Sequence, residues 1–187
     1  MRLIEHEEEY LLNLTGEGRV SGERNMSLAL RGGVFFDLGK MKNEMRKINI
    51  PAAFITYKWR LSGLFYLDTD ICYLLSKSPS DLSYALSIHT LGFFSGIALR
   101  FNLNRSGSVA IFPKAGIGVL LNFNSLTGVV NDRSGLSSCF AVKGGIEFYF
   151  RISEKFFIGI YYDFITGFDK NVTMLYNAGT IGFGFNF

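Results

Sequence analysis

The side chains best equipped for chemistry in this sequence are charged residues set at alternate positions among apolar ones. Arg31, Asp37, Lys58, Arg60, Asp68, Asp70, Arg100, Lys114, Lys143, Glu147, Arg151 and Asp163 all stand in such stretches. Taken out of water, ions of this kind have to be paired and hydrogen-bonded. The chemistry they suggest is therefore an interlocked set of ion pairs, with a gated ion path as the competing reading. Other chemistry has thinner support. His89 lies near Ser83 and Ser87, but general-base catalysis also needs positioned partners. His6 stands among glutamates, and one histidine there does not make a metal site. Gly182 and Gly184 precede no helix, so they form no phosphate-binding loop. No catalytic residue, metal or cofactor is expected.

The elements that must hold these charges follow from composition and period. The chain has 187 residues, 48% hydrophobic, 16% aromatic and 19% charged, with 21 Gly and three Pro. That excludes disorder, collagen and a disulfide-dense scaffold. Apolar runs such as 91–99 are too short and too Gly-rich for a membrane helix, which needs about 20 apolar residues. In a membrane, such a chain has to be a closed barrel. Net charge is a modest +3, and Lys and Arg form no basic block along the strands, which argues against nucleic acid.

From Met26 onward, segments of period two are separated by polar turns. Strands are expected near 26–38, 51–61, 63–75, 88–103, 108–123, 138–152, 156–168 and 176–187. Short connections fall at Ser62, at Asn104-Arg105-Ser106-Gly107 with its glycine for positive φ, and at Ser153-Glu154-Lys155. The other connections, 39–50, 76–87, 124–137 and 169–175, are longer and more polar. Short turns on one side and long loops on the other is the pattern of outer-membrane barrels, with the short turns periplasmic. Both termini then lie in the periplasm. Cys72 and Cys139 point inward from strands three apart, so no disulfide is expected.

The faces test this reading. All twelve charges fall on one face of their strands, opposite Phe, Ile, Leu, Val, Tyr and Trp. Strand phases absorb seven of the twelve, and the other five coincide by chance roughly one time in 30. A lipocalin-like barrel would put its apolar face inside, whereas a lipid-facing charge at mid-bilayer costs about 2–4 kcal/mol. Aromatics gather at both strand ends. Trp59, Phe101, Phe148, Phe150, Phe185 and Phe187 lie near the short turns, and Phe36, Tyr73, Phe123, Phe140, Phe164 and Phe168 near the long loops. Two such girdles mark the two membrane interfaces.

The last eight residues are Thr180-Ile181-Gly182-Phe183-Gly184-Phe185-Asn186-Phe187. Their spacing fits the outer-membrane insertion signal: polar Thr180, Gly182 two later, Phe185 three further on and terminal Phe187. The chain resembles the OmpA-barrel, OmpX and OmpW group of small eight-stranded outer-membrane proteins. The resemblance covers 26–187 as architecture and 180–187 as motif. It implies an all-β, eight-stranded antiparallel up-and-down transmembrane β-barrel whose last strand is recognised by the barrel assembly machinery.

Domain organisation on this reading is a periplasmic tail, 1–25, and an outer-membrane barrel, 26–187, acting as a monomer among outer-membrane lipids. The tail resembles nothing nameable. Its first ten residues carry Glu5, Glu7, Glu8 and Glu9 where a secretory signal would have its apolar core. A mature chain or a truncated gene start is the expected reason, with a protein that is not exported as the alternative.

The lumen is expected to be graded. A charged plug of Arg31, Lys58, Arg60, Asp68, Asp70, Arg100, Lys114, Glu147 and Arg151 fills it from the short turns to mid-wall. Toward the long loops, Phe35, Phe54, Leu74, Phe94, Leu120, Ile165 and Tyr176 form an apolar cup, with Asp37, Asn122, Lys143 and Asp163 as polar exceptions. These seven either pack one another or receive a small hydrophobic molecule, as likeness to OmpW would imply. Pro113, outward on the fifth strand, marks either a bulge or a weak seam for lateral exit. The expected function is structural, with binding or passage of small hydrophobic molecules. The alternatives are a surface adhesin acting through its loops and, third, a lipid-modifying enzyme. Lys40, Lys42, Arg46 and Lys47 form a basic loop that could meet lipopolysaccharide.

Overall fold

In a strand, successive side chains point to opposite faces, so a period-two sequence builds a two-faced sheet. The computed structural model describes residues 25–38, 45, 48–79, 84–128, 133–169 and 173–187. Its strands are β1 (Met26–Asp37), β2 (Asn49–Ser62), β3 (Phe65–Lys77), β4 (Ala85–Leu99), β5 (Phe101–Asn102), β6 (Val109–Thr127), β7 (Arg133–Arg151), β8 (Phe156–Phe168) and β9 (Thr173–Asn186). All pairings are antiparallel and join chain neighbours, apart from β4 with β6 and the β1–β9 pair that closes the sheet. The tail 1–24 and the basic residues Lys40, Lys42, Arg46 and Lys47 lie outside the described residues, as does Ser83.

Closure fixes the tilt. One hydrogen-bonded row runs Ser27, Lys58, Asp68, Gly96, Gly116, Lys143, Ile165, Tyr176 and returns to β1 at Asp37, ten residues beyond its start. Such a stagger tilts the strands by roughly 35–45° and, with eight staves, leaves a lumen just wide enough for side chains. The seam is tied at its end: Met26 N donates to Phe187 O (3.1 Å) and Phe187 N to Met26 O (2.9 Å).

Nine strands make eight staves because β4 and β5 are one stave interrupted. Phe101 and Asn102 pair with Ile111 and Ala110 in the same register as β4, yet the ladder skips Leu99 and Arg100. The residues opposite are Pro113 and Phe112. Proline has no N–H for the ladder, and the break falls where that donor is missing. The register of β6 with β7 runs through Pro113 without a shift, so the expected bulge is corrected to a gap in one ladder.

The short turns lie close to their expected places. Gly63 (φ 46°) and Gly107 (φ 59°) supply the left-handed residues of two of them. Gly107 N donates to Asn104 O at 3.0 Å, and Val109 N donates to Asn104 Oδ1 at 3.1 Å. At the third, Ser153 Oγ accepts from Phe156 N (3.1 Å). The opposite ends differ from expectation. β2 begins at Asn49, β3 runs to Lys77, β4 starts at Ala85, β6 and β7 pair out to Leu126 and Arg133, and β9 starts at Thr173. Backbone pairing continues past the apolar band into Asn124, Ser125, Ser134 and Ser137, where no hydrophobic alternation announces it.

Outward positions are apolar and exposed all round the wall, from Leu30, Ile55 and Ile117 to Ile160 and Ile181. Phe156 stacks on Phe183 (5.5 Å) and Phe140 on Phe168 (6.4 Å) along this face. In water it would be one large adhesive patch; in lipid it is the expected surface. Lys77, on the part of β3 beyond the expected strand, is an outward charge at the band's upper edge. Pro113→Val supplies the missing donor and is expected to join β4 and β5. Amide exchange at Phe101 and Asn102 in micelles should slow; unchanged exchange would mean that Pro113 does not cause the break.

Candidate functional site

The inward positions carry the chemistry, and their order along each stave is regular. From the short turns, β3 turns in Tyr66, Asp68, Asp70, Cys72 and Leu74; β6 turns in Ala110, Phe112, Lys114 and, further on, Leu120. β7, read from its turn, gives Arg151, Tyr149, Glu147, then Lys143, Ala141 and Cys139. β8 gives Phe157, Tyr161, Asp163 and Ile165. Along these four staves an aromatic is followed by charge and then by an apolar segment.

Nearest the short turns, three arginines hold the backbone. Arg60 Nε donates to Gly63 O (3.0 Å), Arg100 Nη2 to Gly107 O (2.9 Å) and Arg151 Nη2 to Ser106 O (2.7 Å). Over them lies an aromatic cluster of Tyr66, Phe112, Tyr149, Phe157 and Tyr161, completed by Ala29, Ala98 and Ala110. Tyr149 and Phe157 lie 4.7 Å apart, and Tyr66 meets Phe112 edge-on at 5.4 Å. The charged floor expected from the sequence is therefore divided, with an aromatic layer between the turn arginines and the central ions.

Six central ions form one network with Arg31 as its hub, and Lys58 with Glu147 makes a pair beside it. Its Nη2 donates to Asp163 Oδ2, its Nη1 to Thr56 Oγ1 (3.1 Å) and Asp70 Oδ1 (3.5 Å), and its Nε to Thr180 Oγ1 (3.2 Å). Thr56 in turn donates to Asp70. Lys114 Nζ lies 3.3 Å from both Asp70 Oδ2 and Asp163 Oδ1, and 3.8 Å from Asp68 Oδ1. Lys143 pairs with Asp70 and lies 3.3 Å from Asp163; Lys58 pairs with Glu147. Four cations thus face four carboxylates, all with their side chains almost wholly out of solvent. Rings complete the cage: the Arg31 guanidinium sits between Phe54 (4.2 Å) and Tyr161 (4.1 Å), and Lys58 lies over Phe112 (4.4 Å). A cavity of about 10 Å³ beside Asp70, Lys114 and Lys143 has room for roughly one water.

Of the expected plug, the structure brings Arg31, Lys58, Asp68, Asp70, Lys114 and Glu147 together at the centre; Arg60, Arg100 and Arg151 serve the turns. Lys143 and Asp163, read from the sequence as exceptions within the cup, are central partners. Long stems close that gap: Arg31 and Lys114 reach up to Asp163, and Lys143 reaches down to Asp70. Thr56, Thr180 and Tyr161 also take part, and their uncharged side chains gave no sign of it.

The seven cup residues Phe35, Phe54, Leu74, Phe94, Leu120, Ile165 and Tyr176 meet in one buried cluster with Ala52, Cys72, Cys139, Ala141 and Ala178. Phe35 and Tyr176 pack edge-on at 5.8 Å. Both cysteines are free and buried. Above them Thr90 Oγ1 donates to Asn122 Oδ1 (2.7 Å). His89 faces outward, with Tyr73 Oη 2.7 Å from its Nδ1; Ser87 lies on the same outer face.

No protein-family model and no curated protein sequence matches the chain. Solved structures do. Neisserial surface protein A aligns with a TM-score of 0.57 and 14% identity over 89% of this chain and 98% of that one. Ail, the attachment invasion locus protein of Yersinia pestis, aligns at 0.53 and 12% over 87% and 99%. Its complex with the heparin analogue sucrose octasulfate aligns at 0.54 and 12% over 86% and 97%. The fold is that of the small eight-stranded outer-membrane barrels. Identity this low carries the architecture and no more.

In this barrel the terminal motif faces both ways. Thr180, Gly182 and Gly184 point into the lumen, and Phe185 and Phe187 point out. A Cβ at Gly182 would lie 2.7 Å from Arg31 Cγ and 3.0 Å from Tyr161 Cε2, and one at Gly184 would overlap the Phe157 ring. The glycines are the slots into which the inner aromatics fit.

Asp163→Leu strips Arg31, Lys114 and Lys143 of a shared partner and should destabilise the barrel by about 3–5 kcal/mol, the usual cost of a stranded buried charge. The readout is the urea midpoint in micelles. Adding Arg31→Met should recover part of the loss, and a double variant no more stable than Asp163→Leu would show that the two charges do not act as a pair.

Proposed function

We propose that the chain is a closed structural barrel of the bacterial outer membrane, with short turns and both termini in the periplasm, whose lumen is sealed against solutes. The observation that carries this reading is the filling of the lumen by two apolar clusters on either side of a charge-balanced ion network. Passage of a small hydrophobic molecule would have to displace Phe94 and Leu120, each at most 4% exposed. Passage of an ion would have to break pairs held almost wholly out of solvent. The 180–187 strand is read as the segment taken up by the assembly machinery.

A second reading, a display surface, is favoured by the unequal wall. β6 and β7 each run 19 residues, and among the described residues β7 pairs with β8 as far as Phe140, so the paired ends of β6 and β7 extend past that point with Ser125, Thr127, Arg133 and Ser134 exposed. Ail, of similar fold, binds a sulfated sugar analogue in one of its structures.

In planar bilayers the purified barrel should show no conductance steps, and native mass spectrometry should retain no small aromatic compound. Phe94→Ala with Leu120→Ala opens an apolar void and should gain one bound benzene-sized molecule. Binding by the unaltered chain that Phe54→Asp or Leu120→Asp abolishes would instead establish the ligand cup.

A further inference from the structure

The lipid-facing wall carries a depression across β1 to β4. Gly32 of β1 and Ala53 of β2 are paired and both point outward, and a Cβ at Gly32 would meet nothing within 4 Å. Ala53 floors this depression of about 340 Å³, edged by Leu30, Ile55, Ile71, Tyr73 and Leu91. That is the small end of the range of about 300–1,000 Å³ found for ligand pockets. Its walls are apolar and it opens to the bilayer, so its neighbour is an acyl chain.

The upper end of the depression is polar in a specific way. The Tyr73 ring lines it, and the Tyr73 hydroxyl lies 2.7 Å from His89 Nδ1. His89 is exposed between Leu75 and Phe123, its partners across β3 and β6. One row higher the outward residues are Lys77, Ser87 and Ser125, so the apolar band ends there. Lys77 is the diagonal neighbour of His89, a separation of about 7–8 Å that one phosphate between them can bridge. With the phenol donating to Nδ1, the imidazole presents Nε2–H as a second donor beside the Lys77 ammonium.

We propose that this face is a lipid site, in which one acyl chain of a phosphate-bearing outer-leaflet glycolipid (lipid A) lies against Ala53, Ile71 and Leu91 while its phosphate is held by Lys77 Nζ and His89 Nε2. The choice of an outer-leaflet lipid rests on the orientation proposed above, with the long loops outside. Charge complementarity selects an anionic lipid over a zwitterionic one, and the notch selects a chain over a protein surface.

The test uses the full chain in detergent micelles, with native mass spectrometry against lipid A, dephosphorylated lipid A and phosphatidylglycerol. Heat-modifiable migration on gels reports barrel formation separately, so a folded barrel that retains no lipid overturns this site and leaves the structural reading intact. Lipid A should be retained at least tenfold better than its dephosphorylated form. Lys77→Gln with His89→Gln should abolish that preference. Ala53→Trp, or Ala53→Leu should the larger ring prevent folding, should reduce retention about fivefold, whereas Ile160→Trp on the far wall should not. Equal retention of all three lipids, a preference for phosphatidylglycerol, or equal effects of the Ala53 and Ile160 variants would each overturn the proposal.

Discussion

A sheet inside a bilayer has no water to satisfy its edges, so β1 has to meet β9, and closure at eight staves fixes how much room is left inside. That width governs the rest of the chain. It is just wide enough for side chains to fill, so the inward side chains become parts of a packed column. The outward side chains face a solvent that tolerates no charge. Charges the strands carry are therefore sent inward, where they must neutralise one another in a space of fixed volume.

Desolvation explains why the network is multiply connected. One carboxylate against one ammonium would not recover the cost of leaving water. Asp70 accepts from Thr56 and pairs with Arg31, Lys114 and Lys143; Asp163 faces Arg31, Lys114 and Lys143. These partners come from β1, β2, β3, β6, β7 and β8, on all sides of the wall. A slip of one residue in β1, β3, β6, β7 or β8 would turn its charge from this network into lipid, so the network also pins register. The aromatic layer below and the apolar cluster above keep water from both ends of it.

Much of this was legible in the sequence because the decisive signals are local. Period-two alternation located the staves, one-sided charge assigned the faces, and Asn104 to Gly107 announced its turn by residue type. What escaped were properties with no local signal. Strand ends at Ser125 or Ser134 pair through backbone alone. The break at Leu99 and Arg100 lies on one strand while its cause, Pro113, lies on another. The place of Lys143 and Asp163 depended on how far side chains reach once the ten-residue stagger is applied. The aromatic layer was hidden because Tyr66, Tyr149 and Phe157 sit between charges and were overshadowed by them.

The last strand shows how one short pattern answers two demands. Its inward residues are already committed: Thr180 accepts from Arg31, Gly182 makes room for Arg31 and Tyr161, and Gly184 makes room for Phe157. None of these can face a partner without opening the lumen. What β9 has to present on its outside is Ile181, Phe183, Phe185 and Phe187, all apolar and exposed. The polar-glycine-aromatic spacing that reads as an assembly signal is thus also what an edge strand needs to seal this lumen. Small residues admit the neighbouring rings on one face, large rings meet lipid on the other, and the alternation of a strand keeps the two sets apart.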